Sequence, residues 1–100
     1  MEKALPHYDL ASIKATFSTV IALRMTKSAL TTSEALGLTL AAIVALIQGM
    51  TRAQFYKSMT SLGDHRIWQD VYHVPHADRV LYVKFTTDIE GYLVISLKEK

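Results

Sequence analysis

The chain has 100 residues, half of them hydrophobic, with four glycines, two prolines and a formal net charge of +2. That length supports one core over residues 1–100 and is too short to divide in two, and the composition excludes a disordered or low-complexity protein. With no cysteine, disulfides and thiolate metal sites are ruled out, and a reducing cytoplasm is the expected compartment.

The opening stretch MEKALPHYDL lacks the continuous apolar run of a signal peptide. From Asp9 to Ile21 the apolar residues Leu10, Ile13, Phe17, Val20 and Ile21 recur at helical spacing, with Asp9 as N-cap. Thr26 starts a second helix that runs to Leu36, where Gly37 suits a left-handed stop. Thr39 caps a third, whose residues Leu40, Ile43, Val44, Leu46 and Ile47 run up to Gly49 and make it apolar almost all round. This third helix is expected to be the most buried. The apolar window Leu36–Met50 is interrupted by Gly37, Thr39 and Gln48, and it falls short of the roughly 18 residues of a membrane span.

Thr51 and Gln54 read as a capping box for one short turn, after which the period changes. Four strands are predicted: Phe55–Thr60, Ile67–His73, Arg79–Thr87 and Gly91–Lys98. SLGD supplies turn chemistry between the first two, and TDIEG a hairpin loop between the last two. In the third strand Leu81, Val83 and Phe85 alternate with Tyr82, Lys84 and Thr86; in the fourth, Leu93, Ile95 and Leu97 alternate with Val94, Ser96 and Lys98. Parity in the first two strands stays ambiguous, because Lys57 shares a side with Phe55 and Met59. Three helices followed by four strands give an α+β fold, an antiparallel β-sheet with helices on one face and a less apolar face left open.

Positive charge does not run along the sequence. Residues 1–54 carry five Lys/Arg and three Asp/Glu, and residues 55–100 carry six of each, so any surface for an anionic partner has to be gathered by the fold. The densest mixture of cations and aromatics is FYKSMTSLGDHRIWQDVYHVP, residues 55–75. Alternation puts Trp68 and Tyr72 opposite Gln69, which argues for core packing of these two rings over base stacking. His65 reads equally as an RNA contact and as a turn residue bonded to backbone, while His7 and His76 read as structural. No HExxH and no paired carboxylates with histidines occur, so neither a metal site nor a cofactor is expected.

That string, together with MEKALPHYDL, TKSAL…SEALGLTL and the ending LVISLKEK, resembles the motility quorum-sensing regulator toxins (MqsR) over essentially the whole chain. The resemblance implies a RelE/YoeB-like fold and a toxin–antitoxin system toxin that acts as an mRNA interferase, cutting single-stranded mRNA at GCU-type sites. Position by position it implies catalytic roles for Lys57, Gln69, Tyr82 and Lys98. His65, His73 and Lys84 are expected to bind RNA; the position of His73 is often basic in relatives. The implied partner is a two-part antitoxin, zinc-bearing and helix-turn-helix, through which alone operator DNA is reached, and no membrane is involved. An edge strand is a natural place for the antitoxin to pair. The rival expectation is a non-catalytic module that binds the antitoxin and alters transcription.

Metal-independent cleavage requires a base for the ribose 2′-OH, positive charge near the phosphorane and an acid for the departing 5′-oxygen. Lysines and a tyrosine meet the charge and acid requirements, but a lysine serves as base only if its pKa is depressed. The residues alone leave the base and the acid open.

Overall fold

A computed structural model describes residues 1–100. The elements are β1 (Glu2–Lys3), α1 (Leu10–Thr16), α2 (Lys27–Ala35), α3 (Leu40–Gln48), a 3-10 turn (Arg52–Gln54), β2 (Phe55–Thr60), β3 (Trp68–His76), β4 (Arg79–Thr87) and β5 (Leu93–Glu99). The strands form one antiparallel sheet in the order β1-β2-β3-β4-β5, with the helices on one face. No single helix is long and apolar enough to cross a membrane.

The caps act where the sequence placed them. The side chains of Asp9, Thr26 and Thr39 accept the backbone N–H of Ser12, Ala29 and Ala42, and Gly37 takes φ +73° after α2. The Thr51 N–H donates to Gln54 Oε1 at 3.1 Å across the 3-10 turn. In the β4–β5 loop the N–H groups of Glu90 and Tyr92 donate to Asp88 Oδ1 at 2.9 and 3.0 Å, beside Gly91 at φ +87°.

One expectation is corrected in the helical layer. The first helix ends at Thr16, not Ile21. Ser18, Thr19, Val20 and Ile21 are poor helix continuers, and the freed carbonyls of Lys14 and Phe17 accept the Gln48 side-chain amide at 2.8 and 3.2 Å. The third helix is the most buried of the three, with Ile43 and Ile47 buried and Ala42, Val44 and Leu46 half-buried, while Leu40, Ala41 and Ala45 stay exposed on the side away from the core.

Helices and sheet share one core. Ile13, Phe17, Ile43, Ile47 and Met50 pack on Tyr72, Val74, Leu81, Val83, Phe85, Ile95 and Leu97. Each such side chain contributes roughly 1.5–3 kcal/mol by burial, which sets the side of the sheet on which all its alternating partners must lie. Strand β3 runs past His73 to His76, with Pro75 opposite Val80.

The sheet has a fifth strand that periodicity could not reveal. Glu2 and Lys3 pair with Met59 and Ser58, and the segment that follows is held by Asp70. This carboxylate is fully buried and accepts the N–H of His7 at 3.1 and 3.0 Å and of Tyr8 at 2.9 Å. Tyr8 also donates its hydroxyl to the Trp68 carbonyl at 2.6 Å, while His7 stacks on Trp68 and Lys3 lies 4.2 Å over the same indole. The other edge, β5, is partly occupied. The Ile95 N–H donates to the Arg24 carbonyl at 2.7 Å, and the Ile95 carbonyl accepts the Thr26 N–H at 3.0 Å.

Asp70→Ala leaves two partly buried N–H groups without their charged acceptor, a bond worth about 1.5–3 kcal/mol each. We therefore expect a loss of about 3 kcal/mol or more in urea unfolding; a transition midpoint equal to the parent's would show that Asp70 does not anchor the amino-terminal segment.

Candidate active site

The open face is assembled by strand register. His73 stands opposite Tyr82, and Tyr82 opposite Lys98; Val71 stands opposite Lys84, and Lys84 opposite Ser96. Neighbouring strands lie about 4.8 Å apart, so Tyr82, Lys84 and Lys98 are first neighbours on one surface.

Lys57 reaches that surface because β2 is bulged. Phe55 pairs with Tyr72, and Lys57 pairs with Val71, although Tyr72 and Val71 are adjacent. Tyr56 is the extra residue. It lets Phe55 face the core, edge-on to Tyr72 at 5.4 Å between centroids, while Lys57 faces outward. The ambiguous parity is thereby resolved, with Lys57 on the side of Met59 and away from Phe55.

Tyr56, Lys57, Met59, Val71, Tyr82, Lys84 and Lys98 line one cleft of about 270 Å³. Its floor is the buried Val71 and its walls are three ammonium groups and two phenols. Lys98 Nζ lies 5.5 Å from the centre of the Tyr82 ring and Lys57 Nζ 5.3 Å from that of Tyr56. Gln69 lies on the same face, opposite Met59, but lines the next hollow with Met59, Thr60, Thr86 and Thr87. Three of the four residues expected to be catalytic thus share one cleft, and the fourth adjoins it.

The residues expected to bind RNA are placed differently from one another. Lys84 is inside the cleft. His73 lies beside it on the same face, stacked on Tyr56 at 4.3 Å and edge-on to Tyr82 at 4.8 Å; burial, with Lys100 nearby, pushes its pKa down. His65 is exposed in the β2–β3 turn and lines neither hollow. Trp68 and Tyr72 face away from the cleft, Trp68 toward His7 and Tyr72 into the core.

The lysines are electrostatically unequal. Lys57 forms an ion pair with Glu2, whose carboxylate, by hydrogen bonding and then by charge, holds the ammonium above the ordinary lysine range. Lys84 moves the other way, since burial and then the neighbouring Lys98 push its pKa down. Glu2 is itself lowered by Lys57. The raised ammonium loses its contribution only as pH rises through its folded value, and the lowered carboxylate only as pH falls through its own, so the pair persists throughout the neutral range. Sequence reasoning missed Glu2 and Tyr56. The only sequence signal for Tyr56 is that Phe55 needs a core and Lys57 needs water; for Glu2, in a two-residue edge strand, there is none.

A family model described as "Motility quorum-sensing regulator, toxin of MqsA" matches residues 5–99. The chain belongs to this toxin family. It is also 40% identical, over the full length of both chains, to the mRNA interferase toxin MqsR of Escherichia coli (strain K12). Family members are toxins paired with the antitoxin MqsA by that description, and the three-lysine cleft is the most cationic concave feature that this family member offers on its sheet.

Glu2→Gln should let the Lys57 pKa fall toward the ordinary lysine value while Lys84 remains below it. Side-chain NMR titration of the two ammonium groups measures this. An unmoved Lys57 would exclude Glu2 as the source of the shift.

Proposed function

We propose that the chain is an endoribonuclease toxin, an mRNA interferase that cuts single-stranded mRNA in the cytoplasm and is neutralised by its antitoxin. The observation that carries the reading is the convergence of Lys57, Lys84, Lys98 and Tyr82 on one cleft in a chain 40% identical to an mRNA interferase toxin. Three ammonium groups opposed by the single Glu2 carboxylate favour an anion the size of a phosphodiester.

The chemistry follows from the inequality of the lysines. Lys84 is the lysine whose pKa is depressed, which suits it to take the proton of the ribose 2′-OH. The 2′-oxygen then attacks phosphorus and the bond to the 5′-oxygen breaks. Lys57, kept charged by Glu2, and Lys98 neutralise the pentavalent phosphorus and its oxygens. Tyr82, with the Lys98 cation against its ring, gives its proton to the departing 5′-oxygen. The products are a 2′,3′-cyclic phosphate and a 5′-hydroxyl, with no proton unaccounted for. Gln69 meets the RNA from the adjoining hollow. His73 packs against the rings of Tyr56 and Tyr82, and its contribution to RNA binding is through those rings.

The preferred sites are short and of GCU type, as the family resemblance implies. The antitoxin is of the two-part, zinc-bearing and helix-turn-helix kind and carries the complex to operator DNA. For pairing with a sheet edge, β5 offers the longer strand, since β1 has only two residues.

Purified protein incubated with defined single-stranded RNA in EDTA should produce fragments with 5′-hydroxyl ends, which polynucleotide kinase labels directly. Intact RNA beside an active control toxin would favour the non-catalytic, antitoxin-binding module instead. A positioned acid or base gives about a hundredfold to ten-thousandfold acceleration. Lys84→Arg retains a cation that cannot deprotonate, so kcat should fall by about a hundredfold or more, whereas Lys57→Arg, which keeps a permanent charge, should lose less. Equal losses in the two variants would remove Lys84 as the base.

A further inference from the structure

Glu2 stands where an oxygen of the substrate would. Residues paired across antiparallel strands point to the same face, and Glu2 is paired with Met59, which lines the cleft together with Lys57. The carboxylate therefore lies on the open face, where it meets the Lys57 ammonium in an ion pair. No other carboxylate touches a lysine of the cleft: Asp64 is paired with Arg66, and Asp78 and Glu99 with Arg79. A carboxylate on an ammonium makes the same kind of charge-assisted hydrogen bond as a phosphate oxygen. The free protein thus already carries an anion on one of the two lysines that neutralise the phosphorus.

That anion is free to leave. Its bond to Lys57 is the only hydrogen bond of the Glu2 side chain, which is 58% exposed, against 29% for the side chain of Lys57. The backbone of β1 is held separately, by pairing with Met59 and Ser58, so rotation of the Glu2 side chain into water releases Lys57 without unpairing the strand. Asp70 is the contrast, fully buried and bonded to two backbone N–H groups. A Glu2 carboxylate that stayed on Lys57 would face a phosphate oxygen across the shared ammonium, and two like charges at such short range repel.

We infer that Glu2 is an autoinhibitory residue, an internal oxyanion that occupies Lys57 in the free protein and is displaced from it by a phosphodiester of the RNA. The inference deepens the RNA-cleavage reading and rests on it for the identity of the ligand. Displacement leaves the ammonium charged, because the phosphate takes over the part of the carboxylate. Lys98 and Lys84, which no carboxylate touches, supply the attraction that brings the strand in, and Lys57 is won only by exchange. Glu2 acts on the ligand through Lys57, and its net effect is to weaken binding.

The test uses a single-stranded 2′-O-methyl RNA, which has no 2′-hydroxyl to attack and is bound without being cut. Its Kd is measured by fluorescence anisotropy, over a range of salt, for the parent, Glu2→Gln, Lys57→Gln and the double variant. Glu2→Gln should tighten binding by about fivefold, the upper end for an ion pair that is partly exposed. It should also steepen the fall of log K with log salt by up to about 0.7, the contribution of one further phosphate contact on a single strand. In the Lys57→Gln background the same change should leave Kd within about twofold, because the residue through which Glu2 acts is gone. A Kd for Glu2→Gln equal to or weaker than the parent's, or the same gain with and without Lys57, would overturn the exchange. A parent that binds the methylated strand but leaves unmodified RNA of the same sequence whole overturns the cleavage reading instead, and the four Kd values still decide the role of Glu2.

Discussion

The site depends on a single irregularity in strand pairing. Phe55 and Lys57 would share a face in a regular strand, and one of them would be misplaced, with either an aromatic in water or an ammonium in the core beside Tyr72. The bulge at Tyr56 removes the conflict by setting two residues of β2 against one step of β3. Phe55 then completes the core beside Tyr72, and Lys57 joins the open face together with Tyr56. The aromatic that is displaced outward is stabilised by stacking on His73, so the irregularity is held from both sides of the sheet.

Charge on the open face is possible because the helices take the other one. Burial of Leu81, Val83, Phe85, Ile95 and Leu97 leaves Tyr82, Lys84 and Lys98 no other side to occupy. Packing three lysines round Val71 is unfavourable in the free protein, and the molecule shows how that is managed. Glu2 neutralises Lys57, Lys84 answers by a lowered pKa, and Lys98 stays exposed to water. An incoming phosphodiester relieves the same repulsion, which makes the crowding a source of affinity for anions. Beyond Met59 the adjoining hollow has no charged residue in its lining.

Glu2 is in position because β1 pairs with β2 and the segment that follows it is tied down at Asp70. A buried carboxylate held by backbone N–H groups is satisfied without a cation, and here those N–H groups come from His7 and Tyr8. The tie fixes the path of the segment, and the two-residue strand before it delivers Glu2 to the edge of the cleft. Stability and electrostatics of the site are thereby linked through one side chain on β3 that the open face never exposes.

Alternation in β4 and β5 was legible from the residues alone, because period-two burial is a local property; so were the three helix caps and the turn at Asp88, which need only neighbours in sequence. The family resemblance carried the choice of Lys57, Gln69, Tyr82 and Lys98. The early end of α1 was not legible, since the group that caps it, Gln48, is 34 residues from Lys14. Nor was the parity of β2, which contains no glycine or proline to mark a bulge. By itself the sequence determined the composition of each strand face and the α+β class, since these follow from periodicity and burial. Only the tertiary structure decided which lysines meet, which of them Glu2 keeps charged, and that Gln69 lies in a neutral hollow beside them, because distance and dielectric exist only once the strands are in register.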